Sequence, residues 1–248
     1  MKIPQKTELK LLRKIEALEK EIKEIKGENK EPIPTYQYSK IRDIDLDEIV
    51  NISQKINSAK FNNWFINDIN ISNKNESFLF ELLKKEENYV SLYNEETLKM
   101  RFLSPLLRRV DFKTAHFQDF YDEKLVYKTD KFILKGEVDF VISTGLRRAK
   151  KPYFFIQEFK RSEEYGNPRP QLLAELISAV ELNGWKEIKG AYIIGENWNF
   201  VILEKLDKDK YQYFISRTFN CTVLENLQGI FKNLLFVKNE IIQIISKT

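Results

Sequence analysis

Between Gly136 and Lys160 the chain sets three charged side chains inside runs that otherwise read as buried β-strand. Val138, Phe140, Val141 and Ile142 surround Asp139. Tyr153, Phe154, Phe155 and Ile156 lead into Glu158, and Phe159 separates Glu158 from Lys160. Runs of β-branched and aromatic residues form strands largely buried in a sheet. A charge inside such a strand is costly unless it is paired or bound to a metal. Positions i and i+2 of a strand share a face, so Glu158 and Lys160 point together and Phe159 points away. If the Asp139 strand pairs with the Glu158 strand, two carboxylates and an ammonium converge on one patch.

Two hard oxygen ligands suit Mg²⁺ or Mn²⁺. A neighbouring lysine holds or polarises an attacking water and offsets developing negative charge. The combination suits metal-assisted hydrolysis of a phosphodiester. The plainer alternative stands beside it: Glu158 and Lys160 as an ion pair on a solvent-facing sheet edge. Gly145 to Pro152 is polar and breaker-rich and reads as the loop between the two strands. Its Arg147, Arg148, Lys150 and Lys151 are expected beside the acidic site, where they track phosphates or simply keep the loop solvated.

Composition narrows the field. With 42% hydrophobic and 13% aromatic residues in 248, the chain buries a real core, and the mean hydropathy of -0.45 is that of a soluble protein. No stretch is long and apolar enough for a membrane span, and the charged N-terminus has no signal-peptide core, so a cytoplasmic location is expected. The net charge of +4 is too mild to indicate nucleic acid by itself. One cysteine, Cys221, excludes an internal disulfide and a cysteine-based zinc site. One histidine, His116, excludes paired-histidine metal sites and is read as structural. There is no nucleophile elbow, phosphate-binding P-loop or dinucleotide fingerprint.

Along the chain, Leu11, Ile15, Leu18, Ile22 and Ile25 make a short coiled-coil seam over residues 6–26, expected to pair with a second copy or a partner protein. Gly27 to Pro34 is punctuation. A helix is expected to start at Asp45, with Asp as its cap, and to run through Ile49, Ile52 and Ile56. Phe61, Trp64, Phe65 and Ile69 form an aromatic patch read as core, and Ser77 to Glu86 a further helix. Asn94 to Val110 is an amphipathic helix capped by Asn94, with Glu95 and Glu96 in its first turn. Strands are expected at about 117–128, 132–143 and 152–160. A helix follows from Pro168 to Gly184, then strands at 190–195, 198–206 and 211–217, and a closing helix at 224–245. The domains are therefore read as a coiled-coil helix (1–31), a helical linker or subdomain (32–90) and a third domain (91–248).

This order, with Val138-Asp139 and Glu158-Phe159-Lys160 at its centre, resembles the PD-(D/E)XK nuclease superfamily. Within it the chain is most similar to the N-terminal nuclease domains of type I restriction motor subunits. The resemblance covers about residues 90–205. It implies an α/β fold of mixed sheet with an αβββαβ core, preceded by the helical region and the short coiled coil. It also implies a Mg²⁺- or Mn²⁺-dependent endonuclease acting on DNA in a restriction or anti-phage setting. Asp139 and Glu158 would bind metal, with Glu95 favoured over Glu96 as an added ligand. Lys160 would position the attacking water, and Gln171 would act from the following helix. Val138 replaces the family's proline, and Ala174-Glu175 stands where some members carry a tyrosine. Two other readings remain open: a non-catalytic nucleic-acid- or protein-binding assembly subunit, and an RNase or tRNA-cleaving toxin.

Overall fold

In the computed structural model, which describes residues 14, 15, 18, 33–161 and 167–247, a mixed nine-stranded sheet carries helices on both faces. The α/β class expected from the sequence is therefore observed. The coiled-coil expectation falls almost entirely outside the described residues; Ile15 and Leu18 are helical and half-exposed.

The chain opens with β1 (Thr35–Gln37), a 3-10 turn (Tyr38–Lys40), α1 (Asp43–Ile49) and β2 (Asn51–Gln54). The expected helix through Ile52 and Ile56 is corrected here. It ends at Ile49, and Ile52 lies in a strand paired with Tyr211. Asp45 occupies the third helical position, where its carboxylate accepts the Arg42 N–H at 2.8 Å, instead of the cap itself. Residues of the 32–90 segment thus enter the same sheet as the rest of the chain, β1 beside β4 and β2 beside β8.

Helices α2 (Asn62–Phe65) and α3 (Asn73–Glu86) precede α4 (Glu95–Leu98), a π-helical turn (Lys99–Leu103) and α5 (Ser104–Val110). Asn94 caps α4 as expected, accepting the Thr97 N–H at 2.8 Å. The expected single helix is broken by the π turn. Pro105 lacks an N–H and crowds the carbonyl one turn back, so the ladder widens and the Ser104 N–H reaches the Lys99 carbonyl.

Strands β3 (Gln118–Lys128), β4 (Ile133–Thr144) and β5 (Lys150–Lys160) lead to α6 (Pro168–Asn183). Then come β6 (Glu187–Ile194), β7 (Asn197–Asp207), β8 (Lys210–Ile215), β9 (Phe219–Asn220) and α7 (Leu224–Ser246). The main strand order is β1-β4-β5-β6-β7-β8-β2, with β3 also on β4 and β9 also on β7.

Helix α6 is buried on every side from Pro170 to Val180. Such a helix must be covered on both faces. The sheet covers one, and Tyr38, Ile41, Leu46 and Val50 of the 35–54 segment cover the other. Two glycines permit the close approach. A Cβ on Gly190 would stand 2.8 Å from the Ile156 carbonyl and 3.0 Å from Leu176 of α6, and one on Gly136 would stand 2.8 Å from the Tyr38 ring. The opposite sheet face buries the aromatic patch, with Trp64 1% exposed and its indole N–H donating to the Asn233 carbonyl at 3.0 Å.

Candidate active site

The site lies where β4 and β5 part company. Their ladder runs from Thr144↔Lys150 to Phe140↔Gln157. Beyond that pair β5 stays with β6, through Glu158↔Tyr192 to Lys160↔Ile194, while β4 stays with β3. β1 joins β4 only at Ile133–Lys135. Gly136 to Asp139 therefore face a seam inside the sheet. Asp139 bridges it: its Oδ2 accepts the Phe159 N–H at 2.9 Å, a donor that the β4–β5 ladder leaves free.

Asp122 lies opposite Asp139 in the β3 register, between Tyr121↔Phe140 and Glu123↔Val138. Its φ of 51° takes it out of the extended region, and the ladder skips that pair. Aspartate is among the few residues that tolerate this conformation.

The Glu158 side chain is wholly buried. Its Oε1 accepts from Lys160 Nζ at 2.6 Å, and its Oε2 has no protein partner. Burial, and then the negative charge of Asp139, push its proton affinity well above the usual carboxylate range. Burial works against the Lys160 ammonium, but Glu158 outweighs it and the pKa is raised. Lys160 Nζ also donates to the Phe159 carbonyl at 3.0 Å. Lys160 is thus held as a cation and a hydrogen-bond donor.

Gln171 of α6 reaches the same place. A cleft of about 460 Å³ is lined by Asp139, Glu158, Lys160 and Gln171, and by Gln37, Ser39, Lys124, Val126, Lys135, Gly136 and Glu137. The structure brings these four residues together in one cleft. Glu95 belongs with them indirectly: Lys99 Nζ lies 3.2 Å from Glu95 Oε1 and 2.9 Å from Asp139 Oδ1. Glu96 is exposed.

The basic loop is not beside the acidic site, and this corrects the expectation. Arg147, Arg148, Lys150 and Lys151 sit at the far end of the β4–β5 hairpin. At ~3.3 Å per residue, Lys151 and Glu158 are roughly 20 Å apart along β5. The cations that do line the cleft are Lys124, Lys135 and Lys160. His116 is exposed in the loop before β3.

Two further residues, Lys99 and Glu175, touch the site without being assigned to it from the sequence. Lys99 follows Glu95 by one helical turn, an ion-pair spacing legible in the sequence. Glu175 follows Gln171 by one turn, accepts its Nε2–H at 3.1 Å, and is fully buried with Oε2 unpartnered. Burial, then Glu158, raise its pKa well above the ordinary range. Gln157, on the other side of β5, is fully buried with neither amide atom partnered, and nothing in the structure explains it.

Asp139 and Glu158 fit a hard divalent cation: both are oxygen donors, and the buried, unpartnered Glu158 Oε2 calls for a positive partner. Among the described residues no group of three or more His, Cys, Asp or Glu is placed to hold a metal. The third carboxylate, Glu95, is separated from Asp139 by the Lys99 ammonium. A larger hollow of about 670 Å³ between β2 and the β7–β8 turn gathers no such chemistry; its Lys131 pairs with Asp209 at 3.0 Å.

No protein-family model matches this chain, and no curated protein is similar to it. Among the described residues no helix is long and apolar enough to cross a membrane.

Proposed function

We propose that the chain is a metal-dependent nuclease that hydrolyses phosphodiester bonds in DNA on a PD-(D/E)XK-type core. The observation that carries this reading is the convergence of Asp139, Glu158 and Lys160 at an interior seam of the sheet, in a cleft that Gln171 also lines. Asp139 and Glu158 would hold Mg²⁺ or Mn²⁺, which supplies Lewis-acid activation of the phosphate and of a bound water. Lys160, kept protonated by Glu158, donates to a non-bridging phosphate oxygen or to the water and offsets charge as the new P–O bond forms and the old one breaks. Gln171, whose amide N–H is held by Glu175, would orient a metal ligand or a phosphate. Lys124 and Lys135 would follow the backbone on one side of the scissile phosphate. A second copy joined through residues 6–26 would place one site on each strand, in a restriction or anti-phage setting.

A second reading has its own observation. Lys99 and Lys160 already pair with Asp139 and Glu158 inside the chain, which suits a non-catalytic nucleic-acid- or protein-binding subunit.

Cleavage of supercoiled, linear duplex and single-stranded DNA, and of RNA, with Mg²⁺ or Mn²⁺ decides between them. DNA cutting by the wild type that falls at least ~10²-fold in both Asp139→Asn and Lys160→Ala supports the nuclease. Cutting of RNA alone moves the reading to a ribonuclease. No cutting, with no metal-dependent rise in melting temperature, favours the binding subunit.

A further inference from the structure

We infer that Lys99 is an internal counter-cation that must leave Asp139 before a divalent cation can bind there, and so sets how much metal the site requires. The inference rests on the metal-dependent reading above. Its basis is the place of one ammonium group. Lys99 Nζ lies 2.9 Å from Asp139 Oδ1 and 3.2 Å from Glu95 Oε1, and 5.7 Å from the centre of the Phe159 ring. Two carboxylates and an aromatic face fix it from three sides. The other Asp139 oxygen is committed to the Phe159 N–H. A second cation on this carboxylate therefore meets the ammonium at close range, and like charges repel strongly where water is sparse.

The two lysines of the site differ in this respect. Lys160 extends from β5 and is tied to Glu158 and the Phe159 carbonyl. Lys99 rises from the first residue of the π turn, an irregularity common at functional sites. Its side chain is 18% exposed, so its unbranched stem has a path to solvent. Swinging out would free Asp139 and Glu95 together. The same two carboxylates would then serve either the ammonium or the metal, never both.

The test is calorimetric titration of Mn²⁺ into the full chain, with thermal unfolding in EDTA and in Mn²⁺ beside it. Lys99→Met removes the charge and keeps the stem; Lys99→Arg keeps the charge; Asp139→Asn removes the ligand. Lys99→Met is expected to bind Mn²⁺ about tenfold more tightly than wild type, a change of ~1.4 kcal/mol. It should melt lower in EDTA and gain more from Mn²⁺. Lys99→Arg should stay near the wild-type affinity, and Asp139→Asn should lose binding. Lys99→Met binding equal to or weaker than wild type, while Asp139→Asn still abolishes binding, overturns the counter-cation and leaves the metal site standing. Mn²⁺ binding by none of the proteins overturns both. If Lys99→Met is too unstable for calorimetry, the Mn²⁺-dependent melting shift decides: larger than wild type supports the inference, equal or smaller overturns it.

Discussion

On one face of the sheet Trp64, Phe65, Phe200 and Phe219 pack edge to face, with ring centres 5.0–5.6 Å apart. In the seam between β4 and β5 and the helix beside it, Glu158 and Glu175 are equally inaccessible yet each leaves a carboxylate oxygen without a partner. Around Trp64 burial looks as it does when packing decides the residues: apolar area removed from water, and the Trp64 N–H satisfied, although Gln157 and the Trp198 N–H on the same face have no partner. The seam is what it looks like when something else decides them. Apolar side chains of similar size would fill the same space at lower cost. The contrast marks the seam as a place where carboxylates are buried that packing alone does not call for.

That contrast can be broken from either side. Trp64→Ala should have the largest effect on folding, a loss of about 3–5 kcal/mol in denaturant unfolding, because it opens a cavity in a filled core. Its metal response should persist under conditions where it remains folded. Glu175→Gln should act on the other region and with the opposite sign. The folded-state pKa of Glu175 lies above its unfolded value of ~4.3, so the folded chain keeps a proton that the unfolded chain gives up. Stability is then fully present below about pH 4.3 and falls as pH rises toward the folded pKa, by up to ~1.4 kcal/mol per pH unit. Unfolding curves of the Glu175→Gln variant across pH 4–8 should show a flatter decline than wild type, roughly by this amount; parallel curves would mean that Glu175 ionises in the folded chain as it does in the unfolded one. The smallest effect is expected from Arg147→Ala with Arg148→Ala. Distant from the seam, the pair should change stability by less than ~0.5 kcal/mol and leave cleavage rate at saturating DNA unchanged. A large loss of cleavage would bring the hairpin tip back into the substrate path.

The sequence is most readable where the residue pattern and the local structure share a cause. The strands around Asp139 and Glu158 follow from their apolar runs, and α6 from its proline start and its glycine end, where Gly184 adopts a φ of 69°. Gln171 is assigned to the site through family resemblance, and its place in the cleft follows from α6 packing along β5. Ile52 misleads because its partner, Tyr211, lies far along the chain; helical spacing gives way to a strand pairing that no local pattern encodes. The basic loop misleads because nearness in sequence is not nearness in space. β5 is 11 residues long, and the loop and Glu158 lie toward opposite ends of it. The Lys99–Glu95 pair is legible as spacing, but its link to Asp139 spans 40 positions and depends on a π turn set by Pro105.

The interior seam gives this sheet something ordinarily found only at its rim: main-chain amides and carbonyls of Gly136 to Asp139 that, among the described residues, turn from β3 toward no neighbouring strand. Exposed strand edges invite another chain to pair with them. Here that invitation is withdrawn by chemistry instead of by distance. Any peptide laid along the seam would have to displace Lys160 and take the Phe159 N–H from Asp139. The charges that line the gap thus also keep it from becoming a template for a strand.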